Sequence, residues 1–255
     1  MTMDRQQRIR KIVNKIPSLT KGQIYWLDRV INVFEAPHDF HVEENGLLDA
    51  ETLENFGDAL RIHHAFSAEP FSKDKFEYVL ESILNMSGHK AVRAPKGNPG
   101  HDITIDGTRV SLKTQADTNI GTDKIWISKF MELGRGKWGD DPRDLIGLRA
   151  AFLRHLRNYQ QIFTLRALRR APDWCYELVE IPRDLLLKAR RGRLEMKADS
   201  KQFPKPGYCY VETCDGDPIF QLYFDGGTER KLQVKNLGKN FCHVHATWEF
   251  TIPLD

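Results

Sequence analysis

No apolar run in this 255-residue chain approaches the roughly 20 residues of a bilayer-spanning helix, which excludes a helical membrane span. The N-terminus is basic (Arg5, Arg8, Arg10, Lys11, Lys15) and lacks the apolar centre of a secretory signal, so a cytoplasmic protein is expected. Cysteine is scarce, four in all, and a disulfide framework is not expected. Cys209 and Cys214 with Cys242-His243-Val-His245 have some zinc character but not the spacing of a recognised zinc module. Core or half-buried thiols are the plainer reading. Internal repeats and low-complexity tracts are absent too. At this length, with 40% hydrophobic residues, the expectation is an N-terminal helical region over residues 1–60 and a main domain over 61–255.

The net charge is only +3, but it is laid out unevenly. Residues 149–205 hold fourteen Lys/Arg against six Asp/Glu, whereas residues 35–81 hold three against twelve. Such asymmetry suits a side that faces phosphates and a side turned away from them. Solvated helix faces would give the same count.

The densest signal lies in Pro99-Gly-His-Asp102-Ile-Thr-Ile-Asp106-Gly107-Thr-Arg-Val-Ser111-Leu-Lys113-Thr-Gln115. Asp106-Gly107 is a two-residue hairpin signal, because both residue types tolerate positive φ. With that turn, Ile105 faces Thr108, Thr104 faces Arg109, Ile103 faces Val110 and Asp102 faces Ser111. Alternation then puts Ile103, Ile105, Val110 and Leu112 on a core face. Asp102, Thr104, Arg109, Ser111, Lys113 and Gln115 share the other. An ordinary hairpin with a wet polar face would read alike. A carboxylate beside an ammonium, however, can hold a divalent ion against a phosphate. Phosphodiester hydrolysis needs an activated water and stabilisation of a highly charged transition state, and Mg²⁺ with oxygen ligands supplies both. In that role Asp102 is the bridging ligand, the Leu112 carbonyl a second ligand, and Lys113 the cation that orients water and offsets charge.

Asp102 followed at hairpin distance by Ser111-Leu-Lys113 resembles the motif of the PD-(D/E)XK nuclease superfamily. The string Asn98-Pro-Gly-His-Asp-Ile-Thr-Ile-Asp106 is similar to type II restriction endonucleases of that superfamily. The likeness continues in Phe56-Gly-Asp58, Ser128-Lys-Phe-Met-Glu-Leu-Gly134, Val179-Glu-Ile-Pro182, Pro204-Lys-Pro-Gly-Tyr208 and Leu222-Tyr-Phe-Asp-Gly-Gly227. It runs from about residue 55 to the end. The resemblance implies an α/β fold, a PD-(D/E)XK restriction-endonuclease-like core with a mixed central sheet flanked by helices. It also implies Mg²⁺-dependent cleavage of double-stranded DNA at a palindromic CCCGGG site. A palindrome suits a homodimer in which each subunit cuts one strand.

Two positions depart from the motif. Ser111 stands where an acid is usual, and Gln115 lies two residues beyond the lysine. Serine is a poor Mg²⁺ ligand, so another element must supply a carboxylate. Phe76, Val79, Leu80, Ile83 and Leu84 fall at i, i+3, i+4, i+7 and i+8, a helix capped by Ser72. Glu77 sits at the edge of that stripe and Glu81 one turn further on. Either could reach a metal, or both could be solvated or paired with Lys73 and Lys75. The resemblance favours Glu77.

Guanine is read best by Arg or Lys forked onto O6 and N7 in the major groove. Lys201, Gln202, Lys205, Arg230, Lys231, Gln233 and Lys235 lie in blocks the resemblance covers and are the base-reading candidates, with phosphate contact the alternative for each lysine. Elsewhere, helices are expected over 4–15, 20–35, 73–85 and 145–166, and a polar stretch over 36–72. Strands are expected near 124–128, 174–181, 208–213, 220–224, 230–235 and 243–252, with a loop at 134–142. Two other readings remain. One is a repair or junction nuclease with the same core. The other is a non-cleaving DNA-binding or regulatory protein, which Ser111 and Gln115 keep open.

Overall fold

Thr20 starts the second helix with a reciprocal cap: its hydroxyl accepts from the Gln23 amide, while the Gln23 side chain accepts from the Thr20 amide. Before it lies α1 (Arg5–Lys15), joined by a 3-10 turn to α2 (Lys21–Glu35). The computed structural model describes residues 4–44, 46–134 and 136–253. Then come β1 (His38–Val42), α3 (Ala50–Phe66), α4 (Lys73–Met86), β2 (Ala91–Arg93), β3 (Ile103–Ile105), β4 (Thr108–Gln115) and β5 (Lys124–Glu132). The second half holds α5 (Asp144–His155), β6 (Gln161–Arg169), β7 (Asp173–Glu180), α6 (Arg183–Leu187) and β8 (Arg193–Met196). It ends with β9 (Gly207–Glu212), β10 (Pro218–Phe224), β11 (Lys231–Gly238) and β12 (His243–Thr251). Among the described residues no helix is long and apolar enough to cross a membrane.

The strands form two sheets. A seven-stranded sheet runs β1-β12-β7-β6-β4-β3-β2, and a five-stranded sheet runs β5-β11-β10-β9-β8. The first is mixed, because β4 and β6 are parallel while its other pairs are antiparallel. A parallel neighbour demands a long crossover, and here β5 and α5 lie between β4 and β6 in sequence. The hairpin register is the expected one: Ile103 pairs with Val110, Thr104 with Arg109 and Ile105 with Thr108. Asp106 (φ 47°) and Gly107 (φ 85°) both take the left-handed conformation the tight turn requires.

Two apolar cores sandwich the mixed sheet. Ile103, Ile105, Val110 and Leu112 join Phe56, Leu60, Phe76 and Leu80 of α3 and α4 on one side. Ile162 and Val179 join Phe152 of α5 and Ile127, Leu222 and Val234 of the five-stranded sheet on the other. The sheet is therefore covered on both faces.

That double burial explains where the helix expected over 145–166 fails. The helix ends at His155, a 3-10 turn covers 156–158, and residues 161–169 form the central strand β6. Phe163 and Leu165 enter one core and Ile162 the other. The second face also buries Thr164 and Arg166, so polar residues in this segment do not mark a solvent side. Helix α3 lies inside the stretch expected to be polar. Its Leu53, Phe56 and Leu60 are buried beneath a strongly acidic surface. Gly57 is required there, because a Cβ would lie 2.4 Å from Trp248 and 2.5 Å from Phe40. Residue 60, the division expected between the N-terminal region and the main domain, falls inside α3, and β1 from the N-terminal side pairs with β12. Of the loop expected at 134–142, Arg135 lies outside the described residues.

Candidate active site

The polar face of β4 is not wet. Ser111, Lys113 and Gln115 are all buried, Lys113 with 8% of its surface exposed. The covering layer is β5, α5 and the N-terminal turn of α4. Asp102, just before β3, lies at the centre. Its Oδ2 accepts from the Leu112 amide at 2.6 Å and from the Ser111 hydroxyl at 3.0 Å. Lys113 Nζ stands 3.9 Å from the same oxygen. Lys73 Nζ lies 2.7 Å from Asp102 Oδ1 and 3.0 Å from Glu77 Oε1. Three side chains expected from sequence, Asp102, Lys113 and Glu77, thus converge on one cluster, which Leu112 joins through its amide, whereas its carbonyl was the expected ligand.

The cluster is an electrostatic whole. Burial raises the proton affinity of Asp102, but the Lys113 and Lys73 ammoniums and the Leu112 amide outweigh it and hold the carboxyl below its ordinary range. Burial pushes Lys113 down to about 8 against the attraction of Asp102, and the Lys73 cation pushes the same way as burial. Lys73 is raised: burial opposes its charge, and the two carboxylates more than compensate. His155 lines the cleft as well and is driven down to about 4 by burial and then by Lys113, so it faces the cleft as a neutral imidazole.

Glu81 is elsewhere. It accepts from the Arg93 amide at 2.9 Å and from Arg93 Nε at 2.6 Å, on the β2 edge. Gln115 has a structural task. Its Oε1 accepts from Arg166 Nε at 2.9 Å and from the Trp126 amide at 3.3 Å, tying β4 to β6 and β5. Arg166 is fully buried and paired with Glu177, which also meets Lys239 at 2.9 Å. The glutamine beyond the lysine therefore anchors the strand that carries it.

The donor set can be tested against Mg²⁺. Among the described residues no group of three His, Cys, Asp or Glu gathers around a common point. Two carboxylates do share a cation, the Lys73 ammonium, which stands in for a metal between Asp102 and Glu77. Mg²⁺ is commonly held by one or two carboxylates, with waters and substrate phosphate completing the shell. The residues fit.

A second cleft adjoins the first, and Glu132 at the end of β5 lines both. Gln202 and Arg230 line it, with Phe203 and the Gly226-Gly227-Thr228 turn. The base-reading candidates differ sharply in what already occupies them. Gln233 accepts from Trp126 Nε1 at 3.3 Å and donates to Asp225 at 3.2 Å. Lys235 sits 4.1 Å over the Tyr223 ring, Lys231 pairs with Glu229 at 3.3 Å, and Lys205 Nζ donates to the Ala198 carbonyl. Gln202 donates to Asp225 at 3.1 Å. The side chains of Arg230 and Lys201 have no such partner among the described residues.

Sequence reasoning missed two cleft residues. Lys73 entered only as a partner for nearby glutamates, and His155 was hidden in a helix read for its apolar side. Position i to i+4 relative to Glu77 was the available signal for Lys73.

A family model described as SmaI, type II site-specific deoxyribonuclease, matches residues 6–250. The type II restriction enzyme SmaI of Serratia marcescens is 42% identical over 225 residues, 88% of this chain and 89% of that protein. A ribosomal RNA small subunit methyltransferase H of Chlamydia abortus (strain DSM 27085 / S26/3) is 28% identical over 124 residues, 48% of this chain and 41% of that protein. No solved structure shows a significant match. Two matches of nearly full length agree with a buried carboxylate–lysine hairpin facing a cleft, and the chain belongs to the SmaI family of type II site-specific deoxyribonucleases.

Proposed function

We propose that the mixed sheet is a PD-(D/E)XK nuclease core and that Asp102, Glu77 and Lys113 are its catalytic residues. The substrate is double-stranded DNA with the palindromic site CCCGGG, cut by a cytoplasmic homodimer, one strand per subunit. The observation that carries the reading is the Asp102 carboxylate, fixed by Leu112 and Ser111, flanked by Lys113 and linked to Glu77 through the Lys73 ammonium. Asp102, Glu77 and the Leu112 carbonyl would hold Mg²⁺, which lowers the pKa of a bound water and neutralises phosphate charge. Lys113, buried and drawn toward neutrality, stands where it can orient the attacking water and take up charge at the phosphate. Hydrolysis adds water across one P–O bond, leaving a phosphate monoester on one side of the break and a hydroxyl on the other. Neutral His155 can offer the phosphate a hydrogen bond without adding repulsion to Lys113.

Ser111, standing where an acid is usual, leaves one alternative, a protein that binds DNA without cutting it. Digesting a defined plasmid in Mg²⁺ and sequencing the ends separates the two. Discrete fragments with every end inside CCCGGG are expected. Specific retention of the site without strand breaks, in both Mg²⁺ and Mn²⁺, would support the non-cleaving alternative. Fragments ending at a different fixed sequence would keep the activity and replace the target.

A further inference from the structure

Among the described α-helices, α1 alone buries no residue. It is nevertheless amphipathic. Ile9, Ile12, Val13 and Ile16 fall at i, i+3, i+4 and i+7 on one stripe, each more than a third exposed. An 11-residue helix is shorter than the ~12–15 residues at which isolated helices become even marginal in water, so propensity alone does not hold it. The following helix α2 also exposes Ile24, Tyr25, Trp26, Ile31 and Phe34. Nine large apolar side chains exposed on two successive helices and the turn between them mark an interaction surface.

Charge identifies the occupant. Arg5, Arg8, Arg10, Lys11 and Lys15 of α1 have no acidic partner among the described residues. Glu35, Glu43, Glu44, Glu51 and Glu54 are exposed, lie at the end of α2, after β1 and along α3, and have no basic partner there either. One molecule carries both halves of a complementary pair and leaves both unmet. In a two-fold assembly the same patch meets itself, so the contact of residue i with j is repeated as j with i. A basic helix from each copy can then lie on the acidic flank of the other, and both apolar stripes are covered at once.

We propose that α1 and the outer face of α2 form the interface with a second copy of this chain, α1 of each lying along the acidic α3 flank of the other. This rests on the two-subunit reading given above and assigns the surface that makes the pair. It places the dimer contact at the helical layer, on the opposite side of the mixed sheet from β5 and α5, while α4 of that layer reaches the catalytic cluster with Lys73 and Glu77.

Sedimentation equilibrium on the full chain tests it. The wild type should weigh twice the chain mass. Ile12→Glu with Val13→Glu places charge in the covered stripe and should raise the dimer dissociation constant about 100-fold or more. Because α1 buries nothing within its own molecule, unchanged thermal melts of the separated monomer will show that the fold is intact. A charge swap gives an independent arm. Chains with Arg8→Glu, Lys11→Glu and Lys15→Glu, and chains with Glu51→Lys and Glu54→Lys, should each self-associate poorly. Mixed together they should pair, since both reciprocal contacts are then opposite in sign. If the wild type is a dimer and every variant keeps its dissociation constant, the interface lies elsewhere and the two-subunit reading stands. A wild type that is monomeric at all concentrations, with or without CCCGGG DNA, overturns that reading and this proposal together. Variants that remain dimeric but lose affinity for all DNA sequences, with a flatter salt dependence, would make α1 a phosphate-binding arm and overturn it too.

Discussion

Beneath β4 every candidate catalytic side chain already has a partner, whereas in the adjoining cleft the side chains of Arg230 and Lys201 have none among the described residues. The two clefts share Glu132, and the first lies between the two sheets, lined by both β4 and β5, while the second is lined by the end of β5 and the turn that enters β11. The contrast follows from what each must do before DNA arrives. A buried charge is costly unless it is paired, and a reacting centre gains most when its charges are fixed in advance. A group that reads a base must instead keep its donors free for the base edge. Occupancy in the free protein therefore sorts the candidates. Gln233, Lys205, Lys231 and Lys235 are committed within the protein, and Arg230 is available.

The largest effects should come from the occupied cleft. Asp102→Ala and Lys113→Ala should each reduce single-turnover cleavage of CCCGGG by at least ~10³-fold, several kcal/mol of transition-state stabilisation per group. Binding of CCCGGG, measured by fluorescence anisotropy, should survive in both. For Asp102→Ala it should tighten, because a carboxylate that repels phosphate is gone while Lys73 and Lys113 remain. Near-wild-type cutting by either variant would erase the distinction between the clefts and move the chemistry elsewhere.

The hairpin was legible in full because its signals are local. Asp106-Gly107 dictates the turn, the turn dictates the register, and the register brings Asp102 beside Ser111 and Lys113. What the hairpin touches was not local. Nothing in the alternation of β4 tells that β5 and α5 cover its polar face, so a wet hairpin stayed open as an alternative until Ser111, Lys113 and Gln115 were found buried. Burial is what depresses Lys113. The helix expected over 145–166 failed for a related reason: both faces of β6 are buried, one by Phe163, Leu165 and Ala167 and the other by Ile162, Thr164 and Arg166, and nothing local to the segment tells of the partners that cover them. Gln115 looked like a defect in a metal site until Arg166 supplied its partner from a strand 51 residues away.

The next contrast is within the occupied cleft. Glu77→Gln should lower cleavage about 100-fold by removing a metal carboxylate, while Glu81→Gln should change it only a few-fold. Glu81 is held by Arg93 on the β2 edge, so its loss should appear as a small drop in stability. Calorimetric titration with Mn²⁺ in the absence of DNA gives a readout apart from activity. Affinity should fall in Glu77→Gln and rise in Lys73→Met, where the ammonium no longer occupies the space between the carboxylates. Equal and mild effects for the two glutamines would leave the second carboxylate unassigned. Asp106 would not inherit the role, because it is engaged by His89 at 2.7 Å and by the Lys90 amide at 2.8 Å at the far end of the hairpin.

The smallest effect belongs to the open cleft, and it is the one that sharpens the comparison most. Arg230 enters β11 with φ 43°, a left-handed conformation unusual for arginine. Its amide donates to the Gly227 carbonyl at 3.0 Å and its carbonyl accepts from the Leu133 amide at 2.7 Å, so the backbone is held while the guanidinium has no partner among the described residues. A fixed base with an uncommitted, rigid fork is the arrangement that guanine O6 and N7 call for. Arg230→Ala should cost ~1–3 kcal/mol in binding CCCGGG and relax discrimination at one position of each half-site. Lys231→Ala, whose ammonium is already shared with Glu229, should lose little. Binding of both variants to CCCGGG and its single-base variants over a range of salt decides the matter. A loss at Arg230 that is uniform across sequences, with the salt slope reduced by about one, would assign it to a phosphate and pass the reading role to Lys201.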